Sequence, residues 1–133
     1  MPEFKDKSFD LVHSNSVIEH VGSFQNMERF ANEVRRVGVA YFVQTPSFGF
    51  PVDPHYGVPF IHWFPDPIRI WAFTRFRIGF VKKREFQKAL FDVDHSRIVS
   101  KYILCSLFQD ARLIRERFML STKSITVVRD YND

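Results

Sequence analysis

The chain has 133 residues, enough for one compact domain. Its 45% hydrophobic and 26% charged residues exclude wholesale disorder, and a formal charge of +4 permits an acidic partner without demanding one. Aromatic residues reach 17%, with 16 Phe, so the fold owns a bulky core or a large aromatic surface.

No apolar stretch approaches the ~20 residues that cross a bilayer, and the run Met1-Pro2-Glu3-Phe4-Lys5-Asp6 holds no apolar signal-peptide core. The single cysteine, Cys105, has no partner for an intrachain disulfide. Within Tyr102-Ile103-Leu104-Cys105 it reads as a small buried hydrophobe rather than a reactive thiol. A reducing cytoplasm fits these features.

In chain order, Phe9-Asp10-Leu11-Val12-His13-Ser14-Asn15-Ser16-Val17 begins as an apolar β-type run and ends in small polar residues. A buried parallel strand reads this way when its carboxyl end opens into a site. Met27, Phe30, Ala31, Val34 and Val37 then recur at the spacing of one helical face, with Glu28, Arg29, Asn32, Glu33, Arg35 and Arg36 on the other. Ser23 is the expected N-cap, Gly38 the expected left-handed residue after the last turn, and Arg35 and Arg36 suit the negative end of the helix dipole. Val39-Ala40-Tyr41-Phe42-Val43-Gln44 is a second apolar strand, stopped by Thr45-Pro46-Ser47. Strand, helix and strand in this order predict a right-handed parallel crossover.

Six of the seven prolines lie between Pro46 and Pro67, so Ser47 to Pro67 is expected to lack regular structure. It carries Phe48, Phe50, Tyr56, Phe60, Trp63 and Phe64, and a loop loaded with aromatics predicts a lid over 45–80. Asp66-Pro67 reads as N-cap and first helical residue. Further helices are expected through Ile68–Phe76, from about Lys82 to Phe91, and from about Ser96 to Phe108 with Ile98, Val99, Tyr102, Ile103 and Leu107 inward. Ala111–Met119 and Lys123–Arg129 read as strands, and the short link between them makes them antiparallel neighbours.

Three stretches together resemble class I S-adenosylmethionine-dependent methyltransferases, near the methyltransferase type 11/23 domains. Pro2-Glu3-Phe4-Lys5-Asp6-Lys7-Ser8-Phe9-Asp10-Leu11-Val12 is similar to the family's entry into its fourth strand. Ile18-Glu19-His20-Val21 and Asn32-Glu33-Val34-Arg35-Arg36-Val37 resemble the opening and close of the helix that follows. Thr45-Pro46, Pro51-Val52-Asp53-Pro54-His55 and Pro59-Phe60-Ile61-His62-Trp63-Phe64-Pro65 resemble a segment of one subgroup, as do Leu107-Phe108-Gln109-Asp110-Ala111 and Thr122-Lys123-Ser124-Ile125.

The resemblance implies an α/β fold: a partial Rossmann-like methyltransferase sheet, strands four to seven, whose last two form an antiparallel pair, with flanking helices. The whole chain, 1–133, is then one incomplete domain. The family order (third, second, first, fourth, fifth, seventh, sixth) makes this a contiguous slab. The glycine-rich turn that grips S-adenosyl-L-methionine and the acidic ribose ligand are not found. The five glycines, Gly22, Gly38, Gly49, Gly57 and Gly79, are never closely spaced, and Arg36-Val37-Gly38 replaces the family's proline-glycine turn. Met1 falls where the family's adenine-contacting loop would end. The expectation is a chain that binds the cofactor weakly or not at all alone, and that forms a homo-oligomer through the apolar edge 9–17.

By resemblance His13, Ser14, Asn15 and Ser16 face the cofactor; the alternative is that they only satisfy backbone groups at a strand end. His55 and His20 are the candidate catalytic groups, since transfer to a hydroxyl or amine benefits from proton removal. Glu19 beside His20 is expected to point to a different helix face. Thr45, Tyr56, His62 and Trp63 are candidate contacts for a small-molecule acceptor. The spacing of His55 and His62 matches no recognised metal-ligand pattern, so no metal is assigned. A second reading makes the basic aromatic segment 63–84 a non-catalytic surface for a membrane or nucleic acid, with Arg69, Arg75, Arg77, Lys82, Lys83 and Arg84 among its aromatics. In the plainer reading it is a lid packed on the sheet with its arginines turned outward.

Overall fold

Phe9–Asn15 forms β1 and Gly38–Pro46 forms β2, paired in parallel from Phe9 opposite Gly38 to Asn15 opposite Gln44. They belong to a computed structural model that describes residues 3–53, 55–96 and 98–131. Met1, Pro2, Pro54 and Arg97, which enter the expectations above, lie outside the described residues.

The connection from β1 to β2 is α1, Phe24–Val37. Its start is capped as expected: the Asn26 amide donates to Ser23 Oγ at 3.3 Å. Met27, Ala31, Val34 and Val37 are buried, and Phe30 packs at the margin, so the periodicity identifies the inward face. Its far end is held by the N-terminal segment. Lys7 donates from Nζ to the carbonyls of Arg35 and Gly38, each at 2.8 Å, and from its amide to that of Arg36 at 2.8 Å. Arg36 in turn reaches Glu33 at 2.8 Å, Asp6 at 2.7 Å and the Phe4 carbonyl at 2.8 Å. The Arg36 guanidinium holds the Glu33 carboxyl down at about 2.

Gly38 corrects one expectation. It is extended, with φ −93° and ψ 137°, and no left-handed turn separates helix from strand. Glycine is needed here for space: a Cβ would stand 2.8 Å from Val12 Cγ2 and 2.9 Å from the Ala40 carbonyl oxygen. The helix end is pressed against β1, and only a residue without a side chain lets β2 begin there.

β5 (Arg112–Phe118) and β6 (Ser121–Arg129) form the expected antiparallel hairpin, with Met119 in the left-handed region at φ 53°. β6 also pairs antiparallel with β2, giving the order β1-β2-β6-β5. The fold is thus mixed α/β with a mostly antiparallel four-stranded sheet and four α-helices among the described residues. On one sheet face Tyr41, Val43, Ile125 and Val127 pack with Ile18, α1 residues, Leu104, Leu107 and Phe108 in the main core. On the other face Leu11, His13 and Asn15 are exposed, as the two-residue period of a strand requires.

The proline-rich stretch is more ordered than its composition predicts. Val52–Asp53 (β3) and Val58–Pro59 (β4) pair antiparallel, and Ile61–Trp63 is a 3-10 turn. α2 (Asp66–Arg75) and α3 (Phe86–Asp94) close a second small core of Tyr56, Ile61, Phe73, Ala89 and Val93. Pro65 caps α2, so Asp66 and Pro67 are its first two residues, one position later in the helix than expected.

α4 spans only Lys101–Leu107, capped by Ser100. Leu104, Leu107 and Phe108 face inward, which turns Tyr102 outward at 74% exposure and leaves Cys105 exposed as well. Both were expected inside. The short helix is anchored by its C-terminal half, and that shifts the phase by about one residue.

Asp110, at the turn from α4 into β5, ties the sheet together. It accepts from the Tyr41 hydroxyl at 2.8 Å and pairs with Arg35 at 2.9 Å and Arg129 at 3.0 Å. Burial pushes its carboxyl up, but Tyr41, its own backbone amide and the two arginines outweigh burial and hold it below the usual aspartate value.

Gly38→Ala is expected to lower unfolding free energy by about 1–3 kcal/mol, because backbone must move to admit the methyl. Gly49→Ala, whose nearest neighbour would be 3.8 Å away, should change it by less than about 0.5 kcal/mol. Urea denaturation of both variants checks this. A depressed folded-state carboxyl stabilises above the unfolded value and ceases to as pH falls through the folded one. Asp110→Asn should therefore cost about 1–2 kcal/mol at neutral pH. It should also flatten the loss of melting temperature that the wild type shows below about pH 4.

Candidate functional site

The carboxyl ends of β1 and β2 open into a cavity of about 540 Å³. His13, Asn15 and Ser16 come from β1 and its end, Phe42 and Gln44 from β2, and Glu116 and Ser124 from the hairpin. His13 stacks on Phe42, with ring centroids 5.1 Å apart and planes 16° from parallel. Ser16, left-handed at φ 54°, turns its Oγ to Gln44 Oε1 at 3.2 Å and takes the Gln44 carbonyl on its amide at 3.0 Å. The Glu116 carboxylate accepts from Ser124 Oγ at 2.6 Å and lies 3.5 Å from Lys123 Nζ, and these two neighbours lower its pKa.

Ser14 is not with its neighbours. It is buried on the opposite sheet face, and its hydroxyl has no hydrogen-bond partner among the described residues. Strand alternation separates Ser14 from His13 and Asn15, a signal present in the sequence. Glu116 and Ser124 carried no such signal, because only the pairing of β6 with β2 brings the hairpin to this cavity.

A second cleft, about 300 Å³, lies elsewhere and includes His20, His55, Tyr56, Arg84 and His95. His20 ends the 3-10 turn Ile18–His20 that follows β1, and His55 follows β3. Their Nε2 atoms face each other at 3.3 Å. His20 Nδ1 is 2.8 Å from the His95 carbonyl oxygen, and His55 Nδ1 is 3.1 Å from Asp53 Oδ1. Asp53 is fully buried and also accepts the His55 amide at 2.8 Å. The candidate catalytic pair thus meets across 35 residues of sequence.

Glu19 is fully buried, and its Oε2 accepts from Thr45 Oγ1 at 2.9 Å. Its other oxygen has no hydrogen-bond partner among the described residues. Glu19 and His20 were expected to diverge, yet donor atoms of Glu19, His20 and His55 all lie within 4.8 Å of one another.

The acceptor-side candidates are mostly enclosed. Thr45 is fully buried against Glu19, and Tyr56 is buried with its hydroxyl 2.7 Å from Ser96 Oγ. His62 is buried, with Nε2 3.1 Å from the Phe48 carbonyl oxygen and Nδ1 3.7 Å from Asp53 Oδ2. Trp63 is 48% exposed and donates Nε1–H to the same Phe48 carbonyl at 2.9 Å. In the segment 63–84, Trp71, Phe76 and Phe80 are exposed, whereas Arg69 turns inward beside Asp66 and Arg84 pairs with Asp92 at 3.0 Å. No described helix is long and apolar enough to cross a membrane.

Thr45→Val removes the Thr45 hydrogen bond to the buried Glu19 carboxylate without changing side-chain volume. Unfolding free energy, measured in chelator, should fall by about 1–3 kcal/mol, whereas Thr74→Val at the end of α2, which loses only a solvent-accessible bond to the Trp71 carbonyl, should change it by less than about 0.5 kcal/mol.

Residues 1–39 match the family model described as a methyltransferase domain. These residues run from the N-terminal segment through β1 and α1 to the start of β2. The chain is also similar to two Mycobacterium tuberculosis proteins, uncharacterized protein Rv1509 of strain H37Rv and uncharacterized protein MT1557 of strain CDC 1551. Each is 33% identical over 54 residues, 41% of this chain and 18% of the relative. The chain therefore matches less than a fifth of the length of these relatives. No solved structure matches significantly. Over β1, α1 and the first residues of β2, the chain is therefore similar to a methyltransferase domain.

Proposed function

We propose that the chain supplies the C-terminal half of an S-adenosylmethionine-dependent methyltransferase, acting on a small-molecule or sugar- or lipid-linked acceptor. The observation that carries this reading is the cavity at the carboxyl ends of two parallel strands, walled by His13, Asn15, Ser16 and Gln44. Open α/β sheets take ligands at that end of their strands. The order β1-β2-β6-β5 supports the reading too, since the fourth, fifth, seventh and sixth strands of the resembled sheet would lie in that sequence.

The residues fit the cofactor as one wall of its site. The volume falls in the range of small-ligand pockets, and amide and hydroxyl groups stand beside the apolar Phe42, Phe50 and Val52. Asn15, Ser16 and Gln44 would hold polar edges of the ligand, and the His13–Phe42 stack would border its flat or apolar part. When bound, the cofactor supplies a methyl group on a positively charged sulfur. The protein's part is to align the acceptor heteroatom with that methyl and exclude water, which accounts for much of the acceleration in such transfers.

His13 is the imidazole within this cavity. His20 and His55 line the other cleft, so they serve as proton acceptors in this reading only for a substrate that enters there. A single wall buries too little of a ligand for tight binding. The isolated chain is thus expected to be inactive and to bind cofactor weakly, and a glycine-rich element is needed to complete the grip. The unpaired edge of β1, where Leu11 is 56% exposed, suits either that element or a second copy of the chain.

Titration of isotope-labelled protein with S-adenosylhomocysteine tests the assignment even when binding is weak. Amide shifts should move at His13, Asn15, Ser16 and Gln44, and Asn15→Leu should abolish them. Shifts confined to the cleft of His20 and His55, or none at millimolar ligand, would sink the reading.

A further inference from the structure

We infer that Glu19, His20 and His55 form a binding site for a divalent transition metal of the zinc class. Three observations converge, and none depends on the methyltransferase reading.

The first is the tautomeric state that the neighbours impose. A carbonyl oxygen only accepts, so His20 Nδ1, 2.8 Å from the His95 carbonyl, carries its hydrogen. Asp53 Oδ1 is 3.1 Å from His55 Nδ1, so that nitrogen is protonated as well. Each neutral ring then offers a bare lone pair at Nε2, and the two lone pairs meet at 3.3 Å. Something positive belongs between them. An outer partner on the second ring nitrogen, carbonyl or carboxylate, is also the usual arrangement around metal-bound histidines.

The second is distance. Two imidazole nitrogens, each ~2.0–2.1 Å from one tetrahedral zinc, stand about 3.3 Å apart. The observed separation is 3.3 Å.

The third is the orphan oxygen. Glu19 is fully buried, Thr45 satisfies one carboxylate oxygen, and the other has no hydrogen-bond partner among the described residues. A buried charged oxygen left so is costly unless it meets a proton donor or a cation. The donor atoms of all three residues fall within 4.8 Å of one another. A proton shared by the two histidines would occupy their lone pairs and leave Glu19 unanswered, whereas a metal ion answers all three. Two neutral imidazoles and a carboxylate form a donor set suited to zinc. Arg84, in the same cleft, is already paired with Asp92 at 3.0 Å. His20 is exposed, so the ion has a path from solvent and a fourth position for water. Such an ion would join the turn after β1 to the hairpin of β3 and β4, fastening the second core to the sheet.

The test is calorimetric titration of the full chain with zinc chloride, with cobalt chloride as a spectroscopic stand-in. One equivalent should bind, cobalt should give the intense visible bands of a tetrahedral ion, and zinc should raise the melting temperature. His20→Ala, His55→Ala and Glu19→Gln should each weaken zinc binding at least about tenfold, the loss that even an outer partner's removal causes. His13→Ala should leave it unchanged. Should a variant fail to fold, the wild type answers alone, because zinc must shift the ring resonances of His20 and His55. No binding at millimolar zinc overturns the site. So does binding that persists in His20→Ala and His55→Ala, or a response confined to other histidines or Cys105. S-adenosylhomocysteine plays no part in these readouts, so this site and the cofactor cavity stand or fall separately.

Discussion

The parallel pairing of Phe9–Asn15 with Gly38–Gln44 constrains everything else in this chain. Two strands that run the same way need a crossover, and here the crossover is a single helix pressed so closely on β1 that the strand after it begins on a residue without a side chain. The close approach is held from outside by the N-terminal segment. Lys7 takes carbonyls at the end of α1, and Arg36 gathers Glu33, Asp6 and the Phe4 carbonyl. Two motifs far apart in sequence, one before β1 and one at the end of α1, therefore make one electrostatic clasp. The 39 residues that match the methyltransferase domain family include both halves of that clasp.

Once β2 is placed, it organises the remainder. Its buried residues Tyr41 and Val43 share the main core with Ile125 and Val127 of β6, while Thr45 turns to the Glu19 carboxylate and Tyr41 also reaches Asp110. Its other face carries Phe42 and Gln44 into the cavity. One strand thus serves packing with one set of alternate residues and the candidate cofactor wall with the other. Glu19 sits where the two functions divide. Thr45 anchors it to β2, and its carboxylate lies within reach of His20 and His55.

The proline-rich segment gains its order from contacts rather than from propensity. Tyr56, Ile61 and Phe73 bury against Ala89 and Val93 of α3, and Asp53 gathers His55 and comes within reach of His62. Breakers forbid long regular elements, but they do not forbid a fixed shape when aromatic burial and a buried carboxylate supply the driving force. The two histidines of this segment, one a candidate catalytic group and the other a candidate acceptor contact, are thereby split. His62 turns inward to hold the Phe48 carbonyl, and His55 meets His20.

What the sequence determined by itself is the local frame. The apolar periodicity of 27–37, the Ser23 cap, the two apolar runs around them and the short link before Ser121 identify α1, β1, β2 and the β5–β6 hairpin, because each signal lies within a few turns or one strand of its own element. Alternation along β1 also contained the split between Ser14 and His13, since period and face are one property of a strand. The tertiary structure alone decided the phase of α4, which Leu104, Leu107 and Phe108 set by packing on the sheet, and with it the exposure of Tyr102 and Cys105. It alone brought Glu116 to the cavity and set His20 against His55, for these meetings follow from strand pairing and burial across 28 or more residues, where no local pattern reaches.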